Sequence, residues 1–533
     1  MLGLSPTILA CLAPLLLLGH VLVSYFRNPL RKIPAAHPLS PFTSLWIHSI
    51  RWRSIENATL KAAHDRLGPI ICLGPDEISV NCVKGGIRDV YAGGFEKGSS
   101  GKGGYNWYSF FSNYGGVDNM FSTGCNKPHS MRKRMISNVY SKSFITANQA
   151  LQTQASSIIY DRLLPVLEST FNTDEPGVLN IYTLLSASTM DIVTGYIFGL
   201  KSGSNLLDDP KQRDWYLDLY NSRRSFNYWP QEFPKFTAFV EKWVGYRLTP
   251  KWVDEANNEI EKWTRKMCDA AANCLASGDD KQENLPVVFR QLQNTLSKEA
   301  EKNGMPPPPT TRLASEVLDH LAAGFDTSGI TLVYVVHQLS QHTDVQSRLQ
   351  KELSTLSPRL VPSSSPTLPD PKTVDALPLL HAVIWETLRL HSAIPGPQPR
   401  FTPQQGCRLG PENEAYFVPG GVRVSASAGL LHLNEDVYEC ASEWRPERWL
   451  EMEKLDEEKR KNMESRWFWA FGSGGRMCIG SHLAVYQMKY IVAALYSNYS
   501  TVIVDDTDIE QSDAYTAPPK SEKLMIKLEK LTA

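Results

Sequence analysis

The sequence predicts a mainly α-helical chain with a few short β-like pieces, preceded by an apolar segment unlike the rest. Three observations carry this. Past residue 41 the apolar residues recur at helical spacing over most of the chain. One such stretch, from about Thr311 to Gln341, would span on the order of 45 Å as a single helix. Strand-like runs are confined to pieces such as GPIICLGPDEISVN near the start and YFVPGGVRVSASA late in the chain.

The amino terminus comes first. No residue from Met1 to Phe26 carries a formal charge. Its run ILACLAPLLLLGHVLVSYF is long enough to cross a hydrocarbon core of roughly 30 Å as a helix. A cleaved signal peptide would open on positive residues and carry a shorter apolar stretch, so residues 1–26 read as a transmembrane anchor. Arg27, Arg31 and Lys32 follow it and place the remainder in the cytosol. Residues 27–41, with NPLRKIPAAHPLSP, cannot continue a helix and read as a stiff connector, leaving 42–533 for the body of the protein. On the cytosolic side the sequon Asn57-Ala58-Thr59 should stay unglycosylated.

The body has ordinary globular composition, with 42% hydrophobic and 21% charged residues. A net charge of −1 leaves no nucleic-acid footprint. The nine cysteines show no C-x-x-C spacing, which argues against zinc ribbons, redox dithiols and a disulfide framework and fits reduced thiols. GSSGKGG, Gly98 to Gly104, fails as a phosphate loop because Gly103 follows Lys102 where a Ser or Thr is required; it reads as a surface loop. Two breaks interrupt the helical pattern, the run from Ser277 to Glu283 and GMPPPPTT from Gly304 to Thr311, the second a hinge between helices.

The chemistry concentrates in FGSGGRMCIG, Phe471 to Gly480. A cysteine with bare backbone on both sides is built for close approach by something large, not for filling a core. The apolar run after it reads as a helix beginning at Cys478, whose N–H groups and dipole would stabilise a thiolate. Gly474, Gly475 and Gly480 clear space for a flat macrocycle, Phe471 can shield the sulfur, and Arg476 can pair with an anionic edge.

These residues, as F-x-x-G-x-R-x-C-x-G, resemble the haem-binding loop of the cytochrome P450 monooxygenases. Further motifs stand at the expected order. Glu386-Thr387-Leu388-Arg389 lies in the apolar helical stretch LLHAVIWETLRLH, where residues three apart share a face. With Arg448 of WRPERW it resembles the family's buried Glu-Arg-Arg network. A second E-x-x-R match, Glu457 to Arg460, sits in a charge-rich run and reads as a solvated face. Ala323-Gly324-Phe325-Asp326-Thr327-Ser328 lies within the long helix. Gly324 would let it lie close to a flat ligand, or mark a small-residue helix crossing. Thr327 can bond back to a carbonyl one turn earlier. The resemblance implies that Asp326 and Thr327 form an acid–alcohol pair relaying protons toward dioxygen. His129 and Lys133 stand where many members carry Trp-x-x-x-Arg for a haem propionate, with Arg132 or Arg134 as alternatives, and Arg400 resembles another propionate ligand.

The resemblance covers nearly the whole chain. It implies a cytochrome P450 fold with a small β-rich lobe, haem b with an axial Cys478 thiolate, and oxygen insertion into a lipophilic small molecule, with an impression of fungal members that decorate secondary metabolites. No flavin or dinucleotide fingerprint is present, so it also implies an NADPH-dependent cytochrome P450 reductase as partner, cytochrome b5 as a further donor, and the endoplasmic reticulum membrane as location. Family position offers YNWYSFFSNYGG from Tyr105, the helix before Ala323, SAIPGP from Ser392 and the turn near Tyr515 as pocket candidates. The aromatic run from Trp215 to Trp263 reads either as a pocket roof that dips into the bilayer or as ordinary core. Two other readings stand beside the monooxygenase: a haem-thiolate isomerase or dehydratase needing no external electrons, and a non-enzymatic haem sensor.

Overall fold

The protein is described by a computed structural model covering residues 19, 23, 25–98, 104–304, 306, 309–363 and 366–531. The anchor expected over 1–26 and most of the GSSGKGG loop lie outside the described residues. Among the described residues one helix, Ile181–Phe198, is long and apolar enough to cross a membrane, and it is 94% buried in the core.

The chain divides into two compact units. The first comprises residues 1–106, 396–431 and 473–476. Helices α1 (Leu45–Trp52) and α2 (Glu56–Leu67) pack with a four-stranded sheet ordered Ile70–Gly74, Glu77–Val80, Arg423–Ser425, Arg400–Phe401. The two expected β-like pieces supply three of these strands. Its core joins Ile47, Ile50, Leu60, Ile71 and Leu73. Glu77 is held between Arg51 and Arg423, with Nε of Arg423 at 3.1 Å. The connector is part of this unit: Leu30, Ile33 and Ala36 are buried, and Ala35 bridges to Cys72. Asn57 of the sequon also packs here, 3.1 Å from where a side chain on Gly396 would begin.

The second unit holds the long helices: α3 (Asn126–Ile136), α4 (Ile181–Phe198), α5 (Pro210–Ser222), α6 (Lys251–Ala276), α7 (Val287–Lys302), α8 (Thr310–Gln341), α9 (Pro378–Leu390) and α10 (Ser481–Tyr496). A three-stranded sheet, Val178–Asn180, Met525–Lys530, Tyr499–Asp505, completes it. Helix α8 begins one residue before the expected Thr311 and ends at Gln341 as expected, because its apolar face is continuous and Pro309 caps its start. Helix α7 ends at Lys302 and α8 begins at Thr310, so the helical pattern breaks where the sequence suggested, while Met305, Pro307 and Pro308 of the Pro run lie outside the described residues. One extended core runs from Ile136 through α4 and α8 to Leu528.

Gly324 sits at the crossing of α8 with α4. A side chain there would begin 2.9 Å from Val193, so this glycine serves close helix packing rather than approach to a ligand. The helix after the cysteine starts at Ser481, three residues later than expected, with Gly480 as its N-cap.

Candidate functional site

In the second unit, Cys478 occupies a turn just ahead of α10, and its N–H donates to the carbonyl of Phe471 at 2.9 Å. That bond closes the run on itself, and Phe471 packs at the margin of the main core. Cys478 is exposed to solvent-sized space, yet burial pushes its thiol pKa up. The N–H groups of Gly480 and Ser481 and the charge of Lys133 act the other way and favour the thiolate. Those two N–H groups belong to the N-terminal turn of α10, as the dipole argument requires.

The middle of α8 carries an uncovered face. Ala323 is exposed and Thr327 half-buried in a helix whose neighbouring residues, Leu321, Phe325 and Ser328, are buried. Residues 323 and 327 share a face by their spacing of four. Thr327 Oγ1 donates to the Ala323 carbonyl at 2.8 Å, the back-bond expected of it. Gln487 of α10 donates to the Gly324 carbonyl at 3.0 Å and fixes α10 against this part of α8. These features of the second unit fit a flat iron cofactor: a thiolate donor with supporting N–H groups, an exposed helix face bearing a hydroxyl, and open space beside Gly480, where an added side chain would meet nothing within 4 Å.

Asp326 points elsewhere, as adjacent helical residues must. It is buried and ion-paired to Arg224, with Nη2 to Oδ1 at 2.7 Å. Sequence reasoning did not find Arg224, because nothing near it in the chain marks it.

On α3, His129 is buried and Lys133 donates from Nζ to the Met477 carbonyl at 2.9 Å, immediately before Cys478. Arg132 is engaged by Glu316 of α8. Arg134 is exposed. Arg400 and Arg476 belong to the first unit: Arg400 is buried with its guanidinium 5.0 Å from the Tyr91 ring centre, and Arg476 closes the short turn Gly474–Arg476. Gly474 has φ +70°, and a side chain on it would begin 2.3 Å from the Tyr91 carbonyl oxygen. Its need for glycine is therefore protein backbone, not the free space expected at all three glycines of the run.

The Glu-Arg-Arg reading is met by geometry. Glu386, fully buried, takes Arg389 Nε at 3.0 Å and Nη2 at 2.8 Å, and Arg448 Nε at 2.9 Å. It also accepts from the Arg445 N–H at 2.9 Å and from Trp449 Nε1 at 2.8 Å. Arg389 carries the network onward, donating from Nη1 to the carbonyls of His432 at 2.9 Å and Ala441 at 2.7 Å. His432 was not singled out from sequence. Its Nε2 accepts from the Trp469 N–H at 2.7 Å, so Nδ1 carries the proton and donates to the Arg389 carbonyl at 2.8 Å. The second match, Glu457 to Arg460, lies on an exposed helix, as a solvated face should.

Of the pocket candidates, Trp107, Phe111 and Tyr515 come together in one aromatic cluster, with Phe111 and Tyr515 rings 5.1 Å apart, and Phe121, which the sequence did not single out, joins them. Ser392 instead turns into the protein, donating to the Leu388 carbonyl. The aromatic run divides: Tyr216 and Tyr220 pack on Phe325 of α8, whereas Phe236, Phe239, Trp243 and Tyr246 are exposed. The eight described cysteines are all free.

The chain matches the family profile described as cytochrome P450 over residues 42–526. Among curated proteins it is similar to a cytochrome P450 monooxygenase, hkm5, of Aspergillus hancockii, at 27% identity over 94% of this chain and 91% of that one. It is 26% identical to the cytochrome P450 monooxygenase FGM1 of Gibberella zeae, over 88% of this chain and 87% of that protein. A fusicoccadiene C-8 hydroxylase of Alternaria brassicicola is 25% identical over 94% and 90% of the two chains.

Proposed function

The chain belongs to the cytochrome P450 family and is a monooxygenase, and on that premise we propose that it inserts one oxygen atom into a lipophilic small molecule of fungal secondary metabolism. The reading is carried by one observation: Cys478 is exposed just ahead of α10 while two helix-start N–H groups and Lys133 favour its charged form. Relatives similar over nearly their whole length, one of them named a fusicoccadiene C-8 hydroxylase, support the substrate class.

When bound, haem b supplies dioxygen activation and the oxidation itself. Cys478 would hold its iron, and His129, Lys133, Arg400 and Arg476 are the candidates for its propionates. Phe471 fixes the cysteine's backbone through its carbonyl and can shield the sulfur with its ring. Thr327 presents a hydroxyl that already donates to Ala323 and can accept from a water or substrate, so it can pass a proton by exchanging donors. Asp326, which the resemblance pairs with Thr327, points away from it and is engaged by Arg224, so Thr327 presents the relay hydroxyl alone. The aromatic cluster of Trp107, Phe111, Phe121 and Tyr515 orients an apolar substrate by shape and stacking.

Electrons come from NADPH through a membrane-bound reductase, with cytochrome b5 as a further donor. We read residues 1–26 as a single-pass anchor in the endoplasmic reticulum, 27–41 as the connector and 42–533 as the cytosolic catalytic domain; the family match beginning at residue 42 supports that boundary. The exposed Phe236, Phe239, Trp243 and Tyr246, interspersed with Lys242 and Arg247, have the composition of a segment that rests on a lipid surface.

The test is the ferrous carbonyl spectrum of the purified protein, followed by turnover with reductase and NADPH against turnover with peroxide alone. A thiolate-type band that Cys478→Ala abolishes, with reductase-dependent oxidation, is expected. An imidazole-type band, or turnover with peroxide only, overturns the reading.

A further inference from the structure

Tyr140 and His320 form a buried pair that the mechanism above does not use. The Tyr140 hydroxyl lies 3.0 Å from His320 Nδ1, and the two rings stack with centres 5.3 Å apart. Tyr140 is 4% exposed and His320 7%. Among the described residues the hydroxyl makes no second hydrogen bond, and His320 Nε2 has no partner. A neutral imidazole carries a single N–H. Placed on Nδ1, it would leave both the phenol O–H and Nε2 unmet. With the phenol donating to Nδ1, only the Nε2 N–H is unmet, and that arrangement costs less in a buried site. Burial pulls His320 down to about 4 and lifts Tyr140, whose neighbours Tyr196, Asp319 and Cys478 add to the rise, so both groups rest neutral.

The pair bridges the two pieces of the second unit that are proposed to hold the haem. Lys133 of α3 ties to the Met477 carbonyl beside Cys478, and Tyr140 follows on the same stretch of chain just past that helix. His320 lies on α8 one turn before Ala323, the exposed position of its middle. A phenol gives up an electron readily only when a base takes its proton in the same step, because an oxidised phenol is a strong acid. Tyr140 has such a base in direct contact. The Tyr196 ring is 6.1 Å from it, but that hydroxyl donates to the Val139 carbonyl, which is no base. Tyr220 faces Asp326, whose carboxylate is already held by Arg224. With no onward bond from Nε2, a proton received at Nδ1 has nowhere further to go and returns with the electron.

We propose that Tyr140 and His320 form a reversible internal reductant for the haem site, a further activity that rests on the haem-thiolate reading above. Turnover that fails to oxidise substrate releases hydrogen peroxide, and peroxide oxidises the ferric haem. Tyr140 gives one electron to the oxidised haem. Its O–H bond breaks, the proton passes to His320 Nδ1, and a neutral tyrosyl radical stands beside an imidazolium. An electron from the reductase then enters the radical, the proton returns from Nδ1, and the phenol is restored. The oxidant is drained one electron at a time before it attacks the macrocycle or the core around it.

The full-length, haem-loaded protein is mixed with hydrogen peroxide without substrate, frozen at once and examined by electron paramagnetic resonance, in wild type, Tyr140→Phe, His320→Gln and Tyr196→Phe. The glutamine can still accept the phenol's hydrogen bond but is no base, so it separates proton uptake from packing. Wild type is expected to show a tyrosyl signal, Tyr140→Phe and His320→Gln to lose it, and Tyr196→Phe to keep it. Haem bleaching by peroxide should be faster in the first two variants and unchanged in the third. Should either of those two load haem poorly, the wild-type signal decides: its radical must carry a hydrogen-bonded proton coupling that exchange into D₂O removes. No tyrosyl signal in wild type, a signal that survives Tyr140→Phe or His320→Gln, or a radical without that exchangeable coupling overturns the pair. Absence of a thiolate-type carbonyl band in wild type would instead overturn the haem-thiolate reading beneath it.

Discussion

Replacing Glu386 by Gln keeps the shape of the side chain and removes its charge, which makes the cost readable from the geometry. Oε1 accepts from Arg389 Nη2, Arg445 N and Arg448 Nε; Oε2 accepts from Arg389 Nε and Trp449 Nε1. Whichever way the amide turns, its NH₂ faces at least two N–H donors, and two buried guanidinium groups lose their counter-charge. Breaking a buried pair from one side costs about 3–5 kcal/mol. That is a large share of a typical stability of about 5–15 kcal/mol. The thermal shift is nevertheless small, because unfolding entropy of about 2.1 cal/mol/K per residue sums to about 1 kcal/mol/K over the family-matched span. The expected fall in Tm is therefore about 3–5 K. The assay is thermal unfolding followed by haem absorbance and by near-ultraviolet circular dichroism, with Glu457→Gln as the control that shares the sequence pattern but lies exposed. A Glu386→Gln protein that melts within 1 K of wild type with full haem content, where about 3 K is the least expected, refutes the reasoning, as does an equal loss in Glu457→Gln.

Thr327→Ala should lower product formed per NADPH, with peroxide released in its place, and slow product formation by roughly 10²-fold, the lower end for a proton-transfer group; unchanged coupling refutes the relay. Gly474→Ala puts a methyl 2.3 Å from a carbonyl oxygen at φ +70° and should yield haem-poor protein, whereas Gly475→Ala, with nothing within 4 Å, should load normally; the ratio of haem to protein absorbance decides. Burial pulls His432 down to about 3, opposed by its bond to the Arg389 carbonyl and aided by the Arg389 charge. An unfolded histidine titrates near 6.5, so the fold refuses a proton that the opened chain accepts, and the stability His432 contributes is complete above about pH 6.5 and lost as pH falls toward 3. Haem release should accelerate with acid across that window, and a His432→Gln protein, whose amide can both donate and accept, should show a shallower slope; an equal slope refutes the assignment.

What the sequence made legible is what is local or periodic. Helix α8 was placed to within a residue because thirty positions of apolar spacing average out individual propensities. Glu386 and Arg389 were placed because three residues on a helix is a contact, and the exposed copy at Glu457 was separated from it by its charged surroundings alone. Nothing comparable announced Arg224, 102 residues from Asp326, or His432, 43 residues from Arg389. Their partners are fixed by tertiary packing and, for His432, are backbone atoms that any residue would supply. The glycines misled in the same way. Gly474 read as room for a ligand and Gly324 as either that or a helix crossing, and the atoms that need their bareness are the Tyr91 carbonyl and Val193 of the crossing helix. A missing side chain records close approach without recording by what.

The Glu-Arg-Arg network gains its purpose from a residue that no motif includes. Arg389 reaches His432, and His432 reaches the Trp469 N–H, two residues before Phe471, whose carbonyl takes the Cys478 N–H. A rigid, fully paired cluster thus sets the position at which the cysteine run departs from the body of the second unit. The neutral tautomer is essential to that path: with Nδ1 donating to Arg389, only an unprotonated Nε2 can accept from Trp469, and a protonated ring would set N–H against N–H. Apolar residues of equal volume could match the stability of such a cluster. They could not fix direction, since dispersion contacts tolerate small rotations that a chain of bonds between 2.7 and 3.0 Å does not. The cysteine that the proposed function makes an iron ligand needs a fixed direction more than it needs the added stability, which accounts for charge kept where burial makes it costly.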